Sequence, residues 1–430
     1  MKEEFKNNFL SIVYLILIST IIFISSIIFL FKDAVLNLLG KSGFDIDLIK
    51  SNILYIYLIA VTIVFIQVLL MQSANFKRIV IPNVIHEFSF KIFLPLLILG
   101  YYYGIVNISQ IPLFILIFYL YSLIANAGYL KRLGGLSIGR LKISKIGKDR
   151  LKEIGSYMSF SGLNIISENL SVRIDTVMIP LLLTLSGNGI YAIFAFMSNT
   201  INMPLMSIFP IASPIISESI QNENWENVKS VYKKASTNAL IMGGAIFMII
   251  WTNIHDIIGL MPKNEEIKPY IFVFFFLGLG KLIDIITSVN SYIIIYSKYY
   301  RYNLIFLVFL AGTNITLNYI FINKYGIVGA ALATFISLFT YNILKLSFIK
   351  FKFKFTPFSR ESYLTIFIII STILAGYVIP NSSIGLVTII YKSAILIGLY
   401  YFLIKLLKVK ADIVTTLEGF VIKMVSKLKI

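Results

Sequence analysis

The run FLSIVYLILISTIIFISSIIFLF, from Phe9 to Phe31, holds 23 residues without a single charge. A helix rises about 1.5 Å per residue, so roughly 20 apolar residues cross a hydrocarbon core. The run is too long for a signal-peptide core and has no small-residue cleavage site, so it reads as a retained span. Comparable runs follow at 51–72, 84–107, 111–129, 155–185, 189–216, 236–259, 269–296, 301–322, 326–349, 362–380 and 384–406. The alternating ten-residue segments of a closed β-barrel are absent. The expected fold class is an all-α polytopic membrane protein of about 12 transmembrane helices.

Composition agrees. Hydrophobic residues make up 58% of the chain, charged residues only 13%, and the net charge is +18. In a soluble protein that charge would suggest nucleic acid. Here it follows the loops instead, so no nucleic-acid partner is expected. If the N-terminus lies inside, 28 Lys and Arg fall in cytoplasmic segments and 6 in outer ones, alternating at every loop. Cytoplasmic loops carry such an excess, which orients the chain N-in and C-in. The chain has no cysteine, so disulfides and thiolate metal sites are excluded. Its two histidines, His86 and His255, have no partner at metal-ligand spacing and read as interfacial polar residues.

Two long polar connections divide the chain. Residues 131–152 form a basic, glycine-containing linker expected on the cytoplasmic side, and Glu218 to Lys234 forms a second, helical connection. At the end, Ile413, Leu417, Phe420, Met424 and Leu428 recur at helical spacing with lysines between them. That pattern suits an amphipathic helix over 410–430 lying on the inner leaflet. A short internal repeat is also present. Gln72-Ser73-Ala74-Asn75-Phe76-Lys77 and Tyr296-Ser297-Lys298-Tyr299-Tyr300-Arg301 are both helix exits, six spans apart, with Ser followed by a cation four residues on. Six-helix repeats occur in transporters.

Three stretches carry a resemblance to a known family. They are Arg173-Ile174-Asp175-Thr176-Val177-Met178-Ile179; Tyr191-Ala192-Ile193-Phe194-Ala195 with Phe209-Pro210-Ile211-Ala212-Ser213-Pro214; and Tyr325-Gly326-Ile327-Val328-Gly329-Ala330-Ala331-Leu332-Ala333-Thr334. In order and spacing the chain resembles the polysaccharide (O-antigen type) flippases of the multidrug/oligosaccharidyl-lipid/polysaccharide exporter superfamily. The resemblance implies two six-helix lobes forming a V around a central cavity, usually with two further C-terminal helices. It also implies transfer of undecaprenyl-pyrophosphate-linked oligosaccharide between leaflets of the bacterial cytoplasmic (inner) membrane, without ATP hydrolysis, for lipopolysaccharide or other surface polysaccharide. Other polysaccharide-assembly membrane proteins would be its neighbours. On that pattern residues 1–130 are an N-terminal lobe of four spans, lacking the family's first two helices. Residues 153–355 are the complete C-terminal lobe and 356–409 the two additional spans. The missing pair leaves three readings: a misplaced coding start, a gap filled by a partner, or a non-transporting homologue.

Ionisable residues within spans are costly and mark functional sites. Arg173 lies well inside the fifth span, and its planar fork suits a pyrophosphate. Asp175 sits on another side of that helix, and Glu168 and Asn169 lie one turn earlier. These four either line the cavity or pair across the lobe interface. Lys281 and Asp284, three residues apart, read as a same-face pair that could open between two states. Lys392 reads as snorkelling or pairing between helices, and Glu87 with Lys91 as a structural pair. Pro204, Pro210 and Pro214 are expected to bend the sixth span. Gly326, Gly329, Ala330 and Ala333 offer a small-residue face for close packing.

Enzyme signals are weak. Gly278-Leu279-Gly280-Lys281 has the wrong spacing for a phosphate-binding loop and lies within a span. No cofactor is expected. Three alternatives to a lipid-linked oligosaccharide flippase stand beside it: an ion-coupled multidrug exporter of the same fold, a membrane-embedded polysaccharide-assembly enzyme, and a truncated non-transporting homologue. The exporter would need acidic residues in the first lobe, where only Glu87 lies within a span.

Overall fold

The computed structural model describes residues 2–41, 45–76, 80–134, 155, 158, 162–163, 166–167, 173–287, 289–382 and 384–414. Glu168, Asn169, most of the 131–152 linker and all but the start of the 410–430 segment lie outside them. Every regular element among the described residues is helical. Nine helical stretches among them are long and apolar enough to cross a membrane, so the chain is a multi-pass membrane protein. Their lipid-type exposure fits: Leu96, Ile124, Phe196 and Phe367 all stand open on helix surfaces. The chain divides into two compact units, Met1–Ile154 and Gly155–Ile430.

In the first unit, α1 (Lys2–Leu30) and α2 (Lys32–Lys41) precede α3 (Ile46–Asn75), α4 (Ser89–Tyr102) and α5 (Ile111–Arg132). Helix α3 packs mainly on α5, burying Ile66 and Leu69 on one side and Leu116, Phe118 and Leu130 on the other. Tyr14 of α1 donates to Gln72 at 3.2 Å. A π-helical turn, Val84–Phe88, leads into α4 and buries His86, whose Nδ1 lies 3.3 Å from Ser122 Oγ. Glu87 and Lys91 form an exposed i,i+4 pair at 3.9 Å.

In the second unit, a helix over 173–182 (α6) is followed by α7 (Leu185–Asn199) and α8 (Met203–Gln221). Thr184 is extended and caps α7 by accepting from Gly187 N at 3.1 Å. The break in the sixth predicted span is the 3₁₀ turn Thr200–Asn202. Pro204 follows it in the first turn of α8, where its missing N–H costs nothing; Pro210 and Pro214 lie inside α8. Then come α9 (Trp225–Thr252), α10 (Ile271–Thr287) and the short α11 (Asn290–Tyr296). The helix α9 packs on α8, α10 and a later helix, so it is the most buried of the long spans.

The 53-residue helical stretch Arg301–Phe353 would be about 80 Å long if straight, far beyond a bilayer. It is not straight. Gly326 has φ 61° and ψ −139°, a conformation that L side chains rarely adopt. The chain doubles back there into an arm before it (α12) and an arm after it (α13). The arms touch so closely that a Cβ on Gly329 would lie 1.9 Å from the Phe321 carbonyl oxygen. Ala330, Ala331 and Ala333 are fully buried behind that corner. Helices α14 (Arg360–Val378) and α15 (Gly385–Leu406) complete the unit, with Ser359 capping α14.

The two exits of the internal repeat share a backbone turn. Phe76 N donates to Ser73 O, and Tyr300 N donates to Ser297 O, at 3.1 and 3.2 Å. Lys345, one of the 28 cations that the loop count places in cytoplasmic segments, is instead buried in α13 at 2% exposure. Its ammonium donates to Ser291 Oγ and to Tyr341 OH, the latter at 3.0 Å. Lys392 is also buried and reaches Asn381 Oδ1 at 3.3 Å in the α14–α15 connection.

Candidate functional site

Asp175 is the centre of a buried polar cluster in the second unit. Its carboxylate is 3% exposed and takes hydrogen bonds from three neutral donors on three other helices. Tyr191 OH of α7 donates to Oδ2. Thr334 Oγ1 of α13 donates to the same oxygen at 2.7 Å. Asn318 Nδ2 of α12 donates to Oδ1 at 2.9 Å. The Asn318 amide also reaches Asn314 O at 3.0 Å and Asn314 Oδ1 at 2.7 Å, and Thr334 Oγ1 lies 3.4 Å from that same Oδ1.

The sequence builds this cluster through the Gly326 corner. In a straight helix Asn314 and Thr334 would be about 30 Å apart; the fold-back puts them in contact. Asn314 and Asn318 have i,i+4 spacing, so both amides face the same way. Buried carboxylates need such partners, because an unpaired charge or amide in an apolar core costs several kcal/mol.

Lys281 of α10 is half-buried. It makes no ion pair with Asp284 among the described residues. The expected same-face pair is not formed in this structure. Asp284 instead accepts from Asn342 Nδ2 of α13 at 3.3 Å, and Asn342 Oδ1 takes the Thr287 hydroxyl at 2.8 Å. The tertiary neighbour across the helix interface offers Asp284 a neutral donor.

Arg173 and Asp175 face different surroundings. Arg173 is exposed on α6, and no carboxylate among the described residues pairs with it. An exposed guanidinium without a carboxylate partner is open to an anionic ligand. Glu168 and Asn169 lie outside the described residues. Sequence reasoning quoted Tyr191 and Thr334 without giving them a role, and it missed Asn314, Asn318 and Asn342. The available signal was the pair of amides four residues apart within an apolar span.

The cluster's chemistry is oxygen-rich. The Asp175 carboxylate, Asn314 Oδ1, the Thr334 hydroxyl and Asn318 Oδ1 (buried without a hydrogen-bond partner) are the ligand type of hard cations. With one carboxylate, the charge fits a proton or a monovalent ion. No group of three or more His, Cys, Asp or Glu among the described residues could hold a metal ion.

No family model matches this chain, and no curated protein matches it. Among solved structures, the lipid II flippase MurJ in its inward closed conformation matches with a TM-score of 0.65. The match covers 94% of this chain and 84% of that one, at 17% sequence identity. The fold is similar to that of MurJ. At that identity the likeness speaks for the fold alone.

Proposed function

We propose that this chain is a flippase that moves a lipid-linked oligosaccharide, carried on undecaprenyl pyrophosphate, across the bacterial inner membrane for surface polysaccharide assembly. The observation that carries the reading is the exporter fold shared with a lipid II flippase over 94% of the chain. Arg173, exposed and without a carboxylate partner among the described residues, supports it as the contact for the pyrophosphate. The buried Asp175 cluster supports a cycle driven by a proton or monovalent ion rather than by nucleotide hydrolysis. A transporter, not an enzyme, fits this arrangement. We further propose twelve spans, N-in and C-in, with Arg173, Asp175, Glu168, Asn169, Lys281 and Asp284 serving the transport site.

The test is transfer of a fluorescent undecaprenyl-pyrophosphate oligosaccharide between leaflets of proteoliposomes. Wild-type protein is expected to expose the label to a membrane-impermeant quencher faster than protein-free vesicles. Arg173→Ala is expected to abolish the difference while leaving the melting curve unchanged. Equal rates with and without protein, alongside extrusion of a cationic dye, would favour a multidrug exporter instead.

A further inference from the structure

The second unit contains another polar cavity, of about 760 Å³, where α9 and α14 begin and α15 ends. A turn beyond α15 shapes it. Lys408 adopts the left-handed conformation (φ 54°), and Val409 N bonds back to Ile404 O at 3.0 Å. The chain then runs along α9. Val409 and Val414 sink into the core at 5% and 8% exposure. Ile413 N donates to Asn238 Oδ1 at 3.3 Å.

This strap carries Lys408 and Lys410 to the same cavity as Lys233 and Lys234 of α9 and Lys405 of α15. Against five lysines the lining has two carboxylates, Glu361 and Asp412. Asp412 is engaged with Lys234 at 3.8 Å. No carboxylate among the described residues pairs with Lys233, Lys408 or Lys410. Ser359 and Thr237 add hydroxyls, and Ser359 caps α14, so the positive end of that helix opens on the same space.

Like charges gathered round one cavity repel one another unless an anion sits among them. Ammonium groups hold phosphate as point charges. The volume falls in the range of small-molecule sites, and Ile404, Val409 and Val414 give it an apolar floor. The three connections that meet here are all ones that the charge alternation puts on the cytoplasmic side, at the level of the inner-leaflet headgroups.

We infer that this cavity binds a phosphate-bearing anion between Lys233, Lys408, Lys410 and the N-terminus of α14. Its sources are an anionic phospholipid headgroup or a soluble diphosphate. The site is separate from the transport reading, and binding is measured without transport.

The full chain in detergent micelles, titrated with cardiolipin, phosphatidylglycerol, phosphatidylcholine or inorganic pyrophosphate, is read by native mass spectrometry. Wild-type protein is expected to retain a phosphate-bearing anion at least tenfold more tightly than phosphatidylcholine. Lys408→Gln with Lys410→Gln is expected to weaken that binding about thirtyfold, at roughly 1 kcal/mol per lysine. Arginine at both positions is expected to restore it. Pyrophosphate displacing the lipid assigns the soluble source; retention of lipid against pyrophosphate assigns the headgroup. Either result upholds the site. Should the glutamine pair fold poorly by its melting curve, Lys233→Gln with Lys410→Gln replaces it under the same criteria. The inference is overturned if folded glutamine variants bind as wild type does. It is also overturned if no anion is preferred over phosphatidylcholine, or if Lys298→Gln with Lys350→Gln weakens binding equally.

Discussion

Truncating Asp175 to alanine removes the acceptor for three donors, but their losses are unequal. Asn318 Nδ2 keeps Asn314 O at 3.0 Å and Asn314 Oδ1 at 2.7 Å. Thr334 keeps a long bond to Asn314 Oδ1 at 3.4 Å. Tyr191, 2% exposed, loses its carboxylate acceptor and is left the neighbouring Thr334 hydroxyl. Exchanging a carboxylate for a neutral hydroxyl shared with Asn314 costs about 1–3 kcal/mol in all, so Asp175→Ala should destabilise by about that much. Asp175→Asn should cost less, about 1 kcal/mol. Its amide oxygen can still accept from Tyr191 and Thr334, and its nitrogen can donate to Asn318 Oδ1 if that amide turns.

The chain has two tryptophans, Trp225 and Trp251, both on α9, with the Trp251 ring 4.9 Å from that of Phe275. Their fluorescence therefore follows unfolding of the second unit in mixed micelles of increasing SDS content. A double-mutant cycle of Asp175→Ala with Tyr191→Phe should give a coupling of about 1.5–3 kcal/mol, the range for a hydrogen bond to a charged group. Additivity within about 0.5 kcal/mol would refute the cluster as a bonded unit.

Other outcomes follow from the same structure. Gly329→Ala should prevent the α12–α13 corner from closing, because the new methyl meets backbone at 1.9 Å; Gly312→Ala, with open space around it, should leave the unfolding midpoint unchanged or raise stability by up to about 1 kcal/mol. Equal effects at the two sites in the SDS titration would count against the fold-back. Lys345→Met replaces a buried ammonium that has only neutral partners, so the midpoint should hold or rise; a clear fall would reveal an anionic partner. Arg173→Ala should shift stability by less than about 0.5 kcal/mol, since the exposed side chain pairs with nothing among the described residues.

Apolar run length and the break at Tyr325-Gly326 made the helical class and the division of the long 301–353 stretch readable without coordinates, because both are local properties. The site was only partly legible. Arg173, Asp175 and Lys281 announced themselves as charges within spans. Asn318 lies 143 residues from Asp175, and nothing in its spacing says which helix it faces. The spacing of Lys281 and Asp284 permitted a pair, but a neighbour on α13 supplied a better-placed donor to Asp284. Lys345 looked like a loop cation because its three nearest cationic neighbours in sequence, Lys350, Lys352 and Lys354, lie at the end of the helix; burial by α11 and α13 is a tertiary fact.

The glycine corner also bears on how the chain enters a membrane. Helix α12 carries Asn303, Asn314 and Asn318, all nearly or wholly buried. As a lone span it would present those amides to hydrocarbon, at several kcal/mol for each one left unpaired. Thr334, on the second arm, reaches Asn314 only after eight residues beyond Gly326 have emerged. The hairpin is thus the smallest piece that brings Asn314 its partner from the second arm. A ribosome-bound chain ending at Gly326 should leave α12 poorly inserted, and one extended through Phe353 should commit both arms in a single step.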